Sequence, residues 1–324
     1  MPPLFSFRKP AKIMRIVFMG TPESAVPSLQ RLLQDRHDIA AVWTQPDKPA
    51  GRGDKMHSPP IKDFAVAHGL PVEQPLKIKT QEARDLFASY DADLAVVVAY
   101  GRILPVEFLR APRRGCINVH FSLLPLYRGA APANWAIVNG EAKSGVTTMF
   151  IEEELDSGPI LLQSEASIGE AETTPELMQR LAIIGADLLS ETLAQLDSLT
   201  PRPQHDRDAT FAPLLQKTDG AIDWANPAIA IERCIRGFQP WPGAYTHYKS
   251  HRLIIWQAAL SEATAAEAQP GEVIAAHGDK LVVRCGDETP LRAIEVQPEA
   301  GRRMSARDFL NGSHLKIGDR FGEV

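Results

Sequence analysis

The sequence predicts an α/β protein: a Rossmann-like first domain on an open, mostly parallel sheet, then a smaller C-terminal β-barrel of OB-like type. Three observations point there. Short segments that are apolar almost throughout, such as "RIVFMG" and "ADLAVVVA", suit strands buried on both faces of a parallel sheet. Between them lie stretches with apolar residues at every third or fourth position, the alternation expected of βα units. A Pro-rich polar interval at 197–220 then precedes shorter strand candidates with Gly, Asp and Pro turns.

In chain order, strands are expected at 15–20, 39–44, 92–99, 116–120 and 146–151. Helices are expected at 24–34, 60–69 and 80–89, followed by a long amphipathic helix at 173–196 whose Thr and Pro form its start. Beyond the polar interval, "RLIIWQAAL", "GEVIAAHGDKLVVRCGD" and "LRAIEVQPE" supply the strands of the small barrel. The resulting division is 14–199 for the first domain, 200–219 for a linker and 220–324 for the second. Met14 opens "MRIVFMG", and residues 1–13 are given no role in the fold.

The 324 residues, 44% hydrophobic and 23% charged, are enough for two globular domains of ordinary size. No apolar run reaches the roughly 18 to 20 residues that cross a bilayer, so a cytoplasmic protein without membrane association is expected. The formal net charge of -5 argues against coating nucleic acid by bulk charge but leaves room for a local basic surface. Cys116, Cys234 and Cys285 are widely spaced and suit neither a disulfide framework nor a metal site. The histidines lack metal-ligand spacing, so no metal is expected. "FMGTPES" has one glycine where a dinucleotide fingerprint needs three, so neither is NAD. There is no G-x-S-x-G elbow to make Ser122 a nucleophile.

The chemistry gathers at "CINVHFSLLPLYRGAAP", residues 116–132. Side chains on a strand alternate, so Asn118 and His120 share a face at the carboxyl end, where open α/β sheets bind ligands. Alone, a loop-capping asparagine and a satisfied core histidine fit as well. The turn that follows has two prolines and a glycine; it is either a tight surface turn or a stiff loop presenting amides to a planar heterocycle. Asp156, in "EEELDSGPIL", follows a strand and reaches the same edge, or is an ordinary solvated carboxylate. Together, amide, imidazole and carboxylate are the set needed when an amine attacks a carbonyl: a donor for the oxyanion and groups that move the proton.

These residues resemble the 10-formyltetrahydrofolate-dependent formyltransferases. The likeness runs from Arg15 onward through "FMGTP", "TQPDKPAGRG", "VVVAYGRILP", "INVHFSLLPLYRGAAP" and "LDSGPI", and continues in "IDWANP", "IRGFQPWPGAY" and "GRRMSARDFLNG". It implies Asn118, His120 and Asp156 as the catalytic triad. It also implies a folate site at Ser122, Leu123, Leu124 and Pro125, and proline chemistry leaves the stiff Leu124–Pro125 bond open to the cis form. Phe121 stands where a smaller residue is common, and Glu154 where glycine often precedes Leu-Asp.

The reaction implied is transfer of the formyl group of 10-formyltetrahydrofolate, a co-substrate, to the α-amine of methionyl-initiator tRNA; a monomer is expected. The irregular stretch "QPDKPAGRGDKMHSPP" (45–60) is either a solvated loop or a basic finger for phosphates carrying Lys48, Arg52 and Lys55. The resemblance favours the finger, since the tRNA-modifying branch of the family has this loop. Rival readings are formyl transfer to glycinamide ribonucleotide or amino sugars, hydrolysis of the donor, and a non-catalytic folate- or RNA-binding module. The second domain and basic loop favour tRNA over the first two, and the intact triad argues against the last.

Overall fold

The computed structural model describes residues 12–50, 55–263, 267–287 and 289–322. They form two compact units that interleave in sequence, the first from the described residues of 1–130, 144–167 and 178–212 and the second from those of 131–143, 168–177 and 213–324.

The first unit runs β1 (Arg15–Gly20), α1 (Val26–Gln34), β2 (Asp38–Trp43), β3 (Lys48–Ala50), β4 (Lys55–His57), α2 (Pro60–Ala67), β5 (Val72–Glu73), α3 (Gln81–Ser89), β6 (Leu94–Val98), α4 (Val106–Arg110), β7 (Cys116–His120) and β8 (Arg128–Gly129). After α5 (Pro132–Val138), part of the second unit, come β9 (Lys143–Phe150), β10 (Ile160–Ser167), α6 (Thr174–Gln195) and β11 (Phe211–Ala212). Seven strands make one sheet in the order β10-β9-β7-β6-β1-β2-β5. β2, β1, β6 and β7 pair in parallel, while β9 runs antiparallel to β7. β1, β2 and β6 are buried nearly end to end, as the unbroken apolar strands require.

One face of this sheet is closed by aromatic packing. Trp43 on β2 meets Phe87 and Phe108 edge-on at 5.3 and 5.5 Å, and those two rings stack at 4.2 Å. α3 begins where the Thr80 hydroxyl accepts the Ala83 amide, and α1 and α2 begin at prolines whose missing N–H costs nothing there. On α6, Gly185 lets the helix sit close to the sheet. A Cβ there would lie 2.9 Å from Val119 Cγ1 and 3.4 Å from Val146 Cγ1. The stretch expected to be irregular, 45–60, carries the antiparallel pair β3–β4, strands too short for alternation to be read. β10 was not expected either, because "ILLQSEAS" changes from buried to exposed along its length.

The second unit adds α7 (Ala228–Gly237), β12 (Ala244–Tyr248), β13 (His251–Leu260), β14 (Val273–His277), β15 (Lys280–Val283), β16 (Leu291–Pro298), β17 (Met304–Ser305) and α8 (Ala306–Gly312). Its sheet follows the path β12-β13-β16-β15-β14, with β17 beside β16. Residues near the C-terminus span the end strands: the Val273 amide donates to the Asp319 carbonyl at 2.8 Å and the Gly322 amide to the His247 carbonyl at 3.0 Å. The core inside combines Ile231 and Ile235 of α7 with Leu253, Ile255, Leu281, Val283 and Val296. α5 lies against α7. Asn134 Nδ2 donates to the Gly237 carbonyl at 2.7 Å, and any Cβ on Gly237 would stand 2.5 Å from Val138 Cγ2.

Candidate active site

β7 ends at the site. Its register places Asn118 opposite Met149 and His120 opposite Thr147 of β9. Val119 and Phe121 face α6: Val119 Cγ1 and Phe121 Cε1 lie 2.9 and 3.6 Å from where a Cβ on Gly185 would sit. Alternation therefore turns Asn118 and His120 to the opposite face, together. Phe121 packs on the helix side, which is how the strand end accommodates its bulk. Asn118 is half-buried, with no hydrogen-bond partner for its amide among the described residues.

His120 is buried, hydrogen-bonded at one nitrogen and facing a carboxylate with the other. Nε2 lies 3.0 Å from the Tyr127 carbonyl, which can only accept, so this nitrogen carries a proton. Nδ1 faces Asp156 Oδ2 at 3.6 Å, an ion-pair separation longer than a hydrogen bond. Asp156 Oδ2 in turn accepts the Gly129 amide at 2.8 Å. The backbone of Asp156 has φ 52°, a left-handed conformation that costs a non-glycine residue of order 1–3 kcal/mol and persists only where the surroundings enforce it. Gly158, two residues on, has no space for a side chain: a Cβ would lie 2.9 Å from the Phe150 carbonyl carbon and closer to its oxygen.

The Ser122–Pro125 turn is fixed from several sides. Ser122 Oγ donates to the Leu126 carbonyl at 2.6 Å, so this hydroxyl serves the turn rather than a nucleophile's role. Thr147 Oγ1 donates to the Ser122 carbonyl at 2.7 Å and accepts the Leu124 amide at 3.1 Å. Gln163 Nε2 donates to the Leu124 carbonyl at 2.8 Å. The Leu124 side chain is buried with Met149 and Ile160, Leu123 packs beside Gly145, and the Leu124–Pro125 bond is cis. At the other end of β7, burial pushes the Cys116 thiol up to about 12 and its Sγ lies 3.4 Å from the Phe108 carbonyl, so it is inert.

Lys48 opens β3, exposed, with its backbone paired to His57 in the short hairpin. Lys55 pairs through its backbone with Ala50, and Arg52 lies outside the described residues. Among the described residues, no group of three or more His, Cys, Asp and Glu is placed to hold a metal ion, and no helix is long and apolar enough to cross a membrane.

Sequence reasoning missed the supports: Tyr127, Gly129, Thr147, Gln163 and Gln204. Four of them act on residues 16 or more positions distant, as with Gln163 on Thr147 and Gln204 on Asp156, so local pattern does not reveal their partners. Gly129 alone gave a signal, as the glycine of a stiff turn.

The formyl transferase family model matches residues 14–193, and the model for the formyl transferase C-terminal domain matches residues 214–314. The chain belongs to the formyl transferase family and is an enzyme of formyl transfer. Similar full-length proteins carry a more particular name. The methionyl-tRNA formyltransferase of Caldanaerobacter subterraneus subsp. tengcongensis is 47% identical over 312 residues, covering 94% of this chain and 99% of that protein. That of Methylococcus capsulatus is 47% identical over 311 residues, covering 95% and 100%. Among solved structures, HypX from Aquifex aeolicus, in complex with tetrahydrofolic acid, shares the fold with a TM-score of 0.64 at 16% identity. The likeness covers 95% of this chain but only 51% of HypX, about half its length.

Proposed function

We propose that this chain transfers the formyl group of 10-formyltetrahydrofolate to the α-amine of methionyl-initiator tRNA. The observation that carries the reading is the convergence at one strand end of the Asn118 amide and a buried imidazole, His120, facing a fixed carboxylate, Asp156. Near-full-length likeness to methionyl-tRNA formyltransferases supports the acceptor, and the tetrahydrofolate complex of the fold relative HypX supports the donor class.

In this reading the amine lone pair attacks the formyl carbon and the carbonyl opens to an oxyanion. Asn118 donates to that oxygen, a kind of contact whose loss costs roughly 100-fold to 1000-fold in rate. With Nε2 committed to the Tyr127 carbonyl, Nδ1 is the nitrogen left to His120 for the oxyanion and for proton exchange. Asp156 balances the imidazole's charge and takes the amine proton through water. Collapse of the intermediate breaks the bond from the formyl carbon to N10; the electron pair and a proton go to N10. The Ser122–Pro125 turn holds the pterin ring.

Lys48, Arg52 and Lys55 contact tRNA phosphates, with residues 220–324 as the second tRNA-holding domain and 200–219 as the connection. The enzyme works as a cytoplasmic monomer. The test is formylation of charged initiator tRNA by purified protein, with glycinamide ribonucleotide and an amino sugar as rival acceptors. Formyl-methionyl product is expected, with an affinity for tRNA that falls steeply as salt rises. Product on a rival acceptor and none on tRNA would overturn the assignment.

A further inference from the structure

We infer that Gln204 is a positioning residue for formyl transfer, holding the Asp156 loop in its left-handed conformation; the inference rests on the catalytic reading of Asp156 given above. Gln204 lies between the two family-model matches, in the Pro-rich interval that the sequence marks as a linker. Its side chain points back into the first unit. Nε2 donates to the carbonyl of Asp156 at 2.9 Å and to that of Gly158 at 2.7 Å, so both protons of one amide are committed to one loop.

The orientation of that amide is itself fixed. Oε1 accepts from Nε of Arg128 at 3.0 Å, and Arg128, buried, places Nη1 2.9 Å from Asp206 Oδ1. Arg128 immediately precedes Gly129, whose amide holds the Asp156 carboxylate. Asp156 is therefore held twice by neighbouring residues of β8: its carboxylate directly by Gly129, and its backbone through Arg128 and Gln204.

Further along, Thr210 grips the other side of the pair. Its Oγ1 accepts the Tyr127 amide at 2.8 Å, and the Tyr127 carbonyl receives Nε2 of His120. Residues 202–212 are anchored at both ends, by Arg202 exchanging 2.8 Å backbone hydrogen bonds with Ile160 and by β11 pairing with β8. A residue with φ 52° and no glycine's freedom needs such support. Without the two Gln204 bonds the loop can relax, and Oδ2 leaves the place set for it opposite Nδ1.

The test uses the full chain with Gln204→Ala and Gln204→Glu. The second keeps an acceptor for Arg128 but sets a carboxylate oxygen against the two carbonyls in place of both donated bonds, and urea unfolding of each variant shows whether it is folded. Both variants should lose about 10-fold to 100-fold in kcat, the scale of a small misplacement of a reacting group, while KM for folate and tRNA changes by no more than about twofold. In an Asp156→Asn background, Gln204→Glu should cost nothing more, because its effect passes through Asp156. A purely structural residue would lower activity by the same factor in both backgrounds. Equal factors, or wild-type kcat in Gln204→Glu, would overturn the inference. If the wild type formylates an amino sugar instead of tRNA, the substrate reading fails and the same kcat comparison on that sugar decides the role of Gln204. If it formylates no amine, both fall.

Discussion

Replacing Gly129 by alanine probes the hold on Asp156 most directly, because one backbone position carries three constraints. Gly129 has φ 129°, pairs with Ala212 across β8–β11, and donates its amide to Asp156 at 2.8 Å. A Cβ at this residue would stand 3.0 Å from the carbonyl carbon of Ala212 and closer to its oxygen, and backbone cannot swing aside as a flexible side chain can. The conformation costs a non-glycine residue about 1–3 kcal/mol and the overpacking a further 1–3 kcal/mol or so. Gly129→Ala should therefore lower unfolding free energy by roughly 2–6 kcal/mol, less if β8 shifts to relieve the clash. Any such shift withdraws the amide from the carboxylate, a charge-assisted bond of about 1.5–3 kcal/mol. If half of that loss appears in the transition state, kcat falls by about 4-fold to 13-fold, and by more if all of it does. Urea unfolding and single-turnover formylation read the two effects. Gly69→Ala is the control: its φ is 67° but nothing lies within 4 Å of a Cβ, so it should cost only about 1 kcal/mol and leave turnover alone. Wild-type stability and turnover in Gly129→Ala would refute the claim that this position fixes Asp156.

His120→Ala and Asp156→Asn should each lower kcat by roughly 100-fold or more while the folate dissociation constant stays within about twofold; calorimetric titration beside kinetics separates the two, and near-normal turnover removes that residue from the mechanism. Burial holds the His37 imidazole below its ordinary value, with Asp35 opposing in part, and its Nδ1 accepts the Met14 amide at 3.2 Å. The unfolded chain therefore takes up this proton first, so stability is full above about pH 6.5 and declines as pH falls through the folded value. Urea midpoints from pH 7.5 to 5 should fall more in the wild type than in His37→Gln, and equal slopes would dismiss the effect. Burial first, with Glu232 and Asp287 adding to it at the second and third sites, raises Cys116, Cys234 and Cys285 to about 12, 11 and 12. At pH 8 the native protein should resist alkylation that is complete in urea, as mass spectrometry would show; rapid native labelling of Cys116 would contradict its burial.

The central sheet was legible because its strands are nearly pure apolar runs, and β1 and β7 fall where the sequence places them, at 15–20 and 116–120. The shared face of Asn118 and His120 follows from strand alternation alone, and the stiffness of 122–125 from its prolines. α5 was not legible, since a seven-residue helix gives less than two turns of periodicity and its reason for forming lies in Phe238 and Gly237, about a hundred residues away. The packing of Phe121 was unreadable for a like reason: the glycine that makes room for it, Gly185, lies on a distant helix. Arg52 falls outside the described residues, so its place beside Lys48 stays an expectation from the resemblance.

The stretch from Arg202 to Ala212 has a bearing on how such proteins can be recombined. A chimera that exchanges the C-terminal portion between relatives would naturally be cut where composition shifts, near residue 200. A graft joined there imports the donor's counterparts of Gln204, Asp206 and Thr210, which in this chain bond to Asp156, Gly158, Arg128 and Tyr127. A mismatch at any of the three would be scored as poor compatibility of the grafted module, although the defect would lie around His120 and Asp156 in the first unit. Moving the junction past Ala212 keeps those contacts native, so a pair of hybrids differing only in the seam separates acceptor preference from damage at the join.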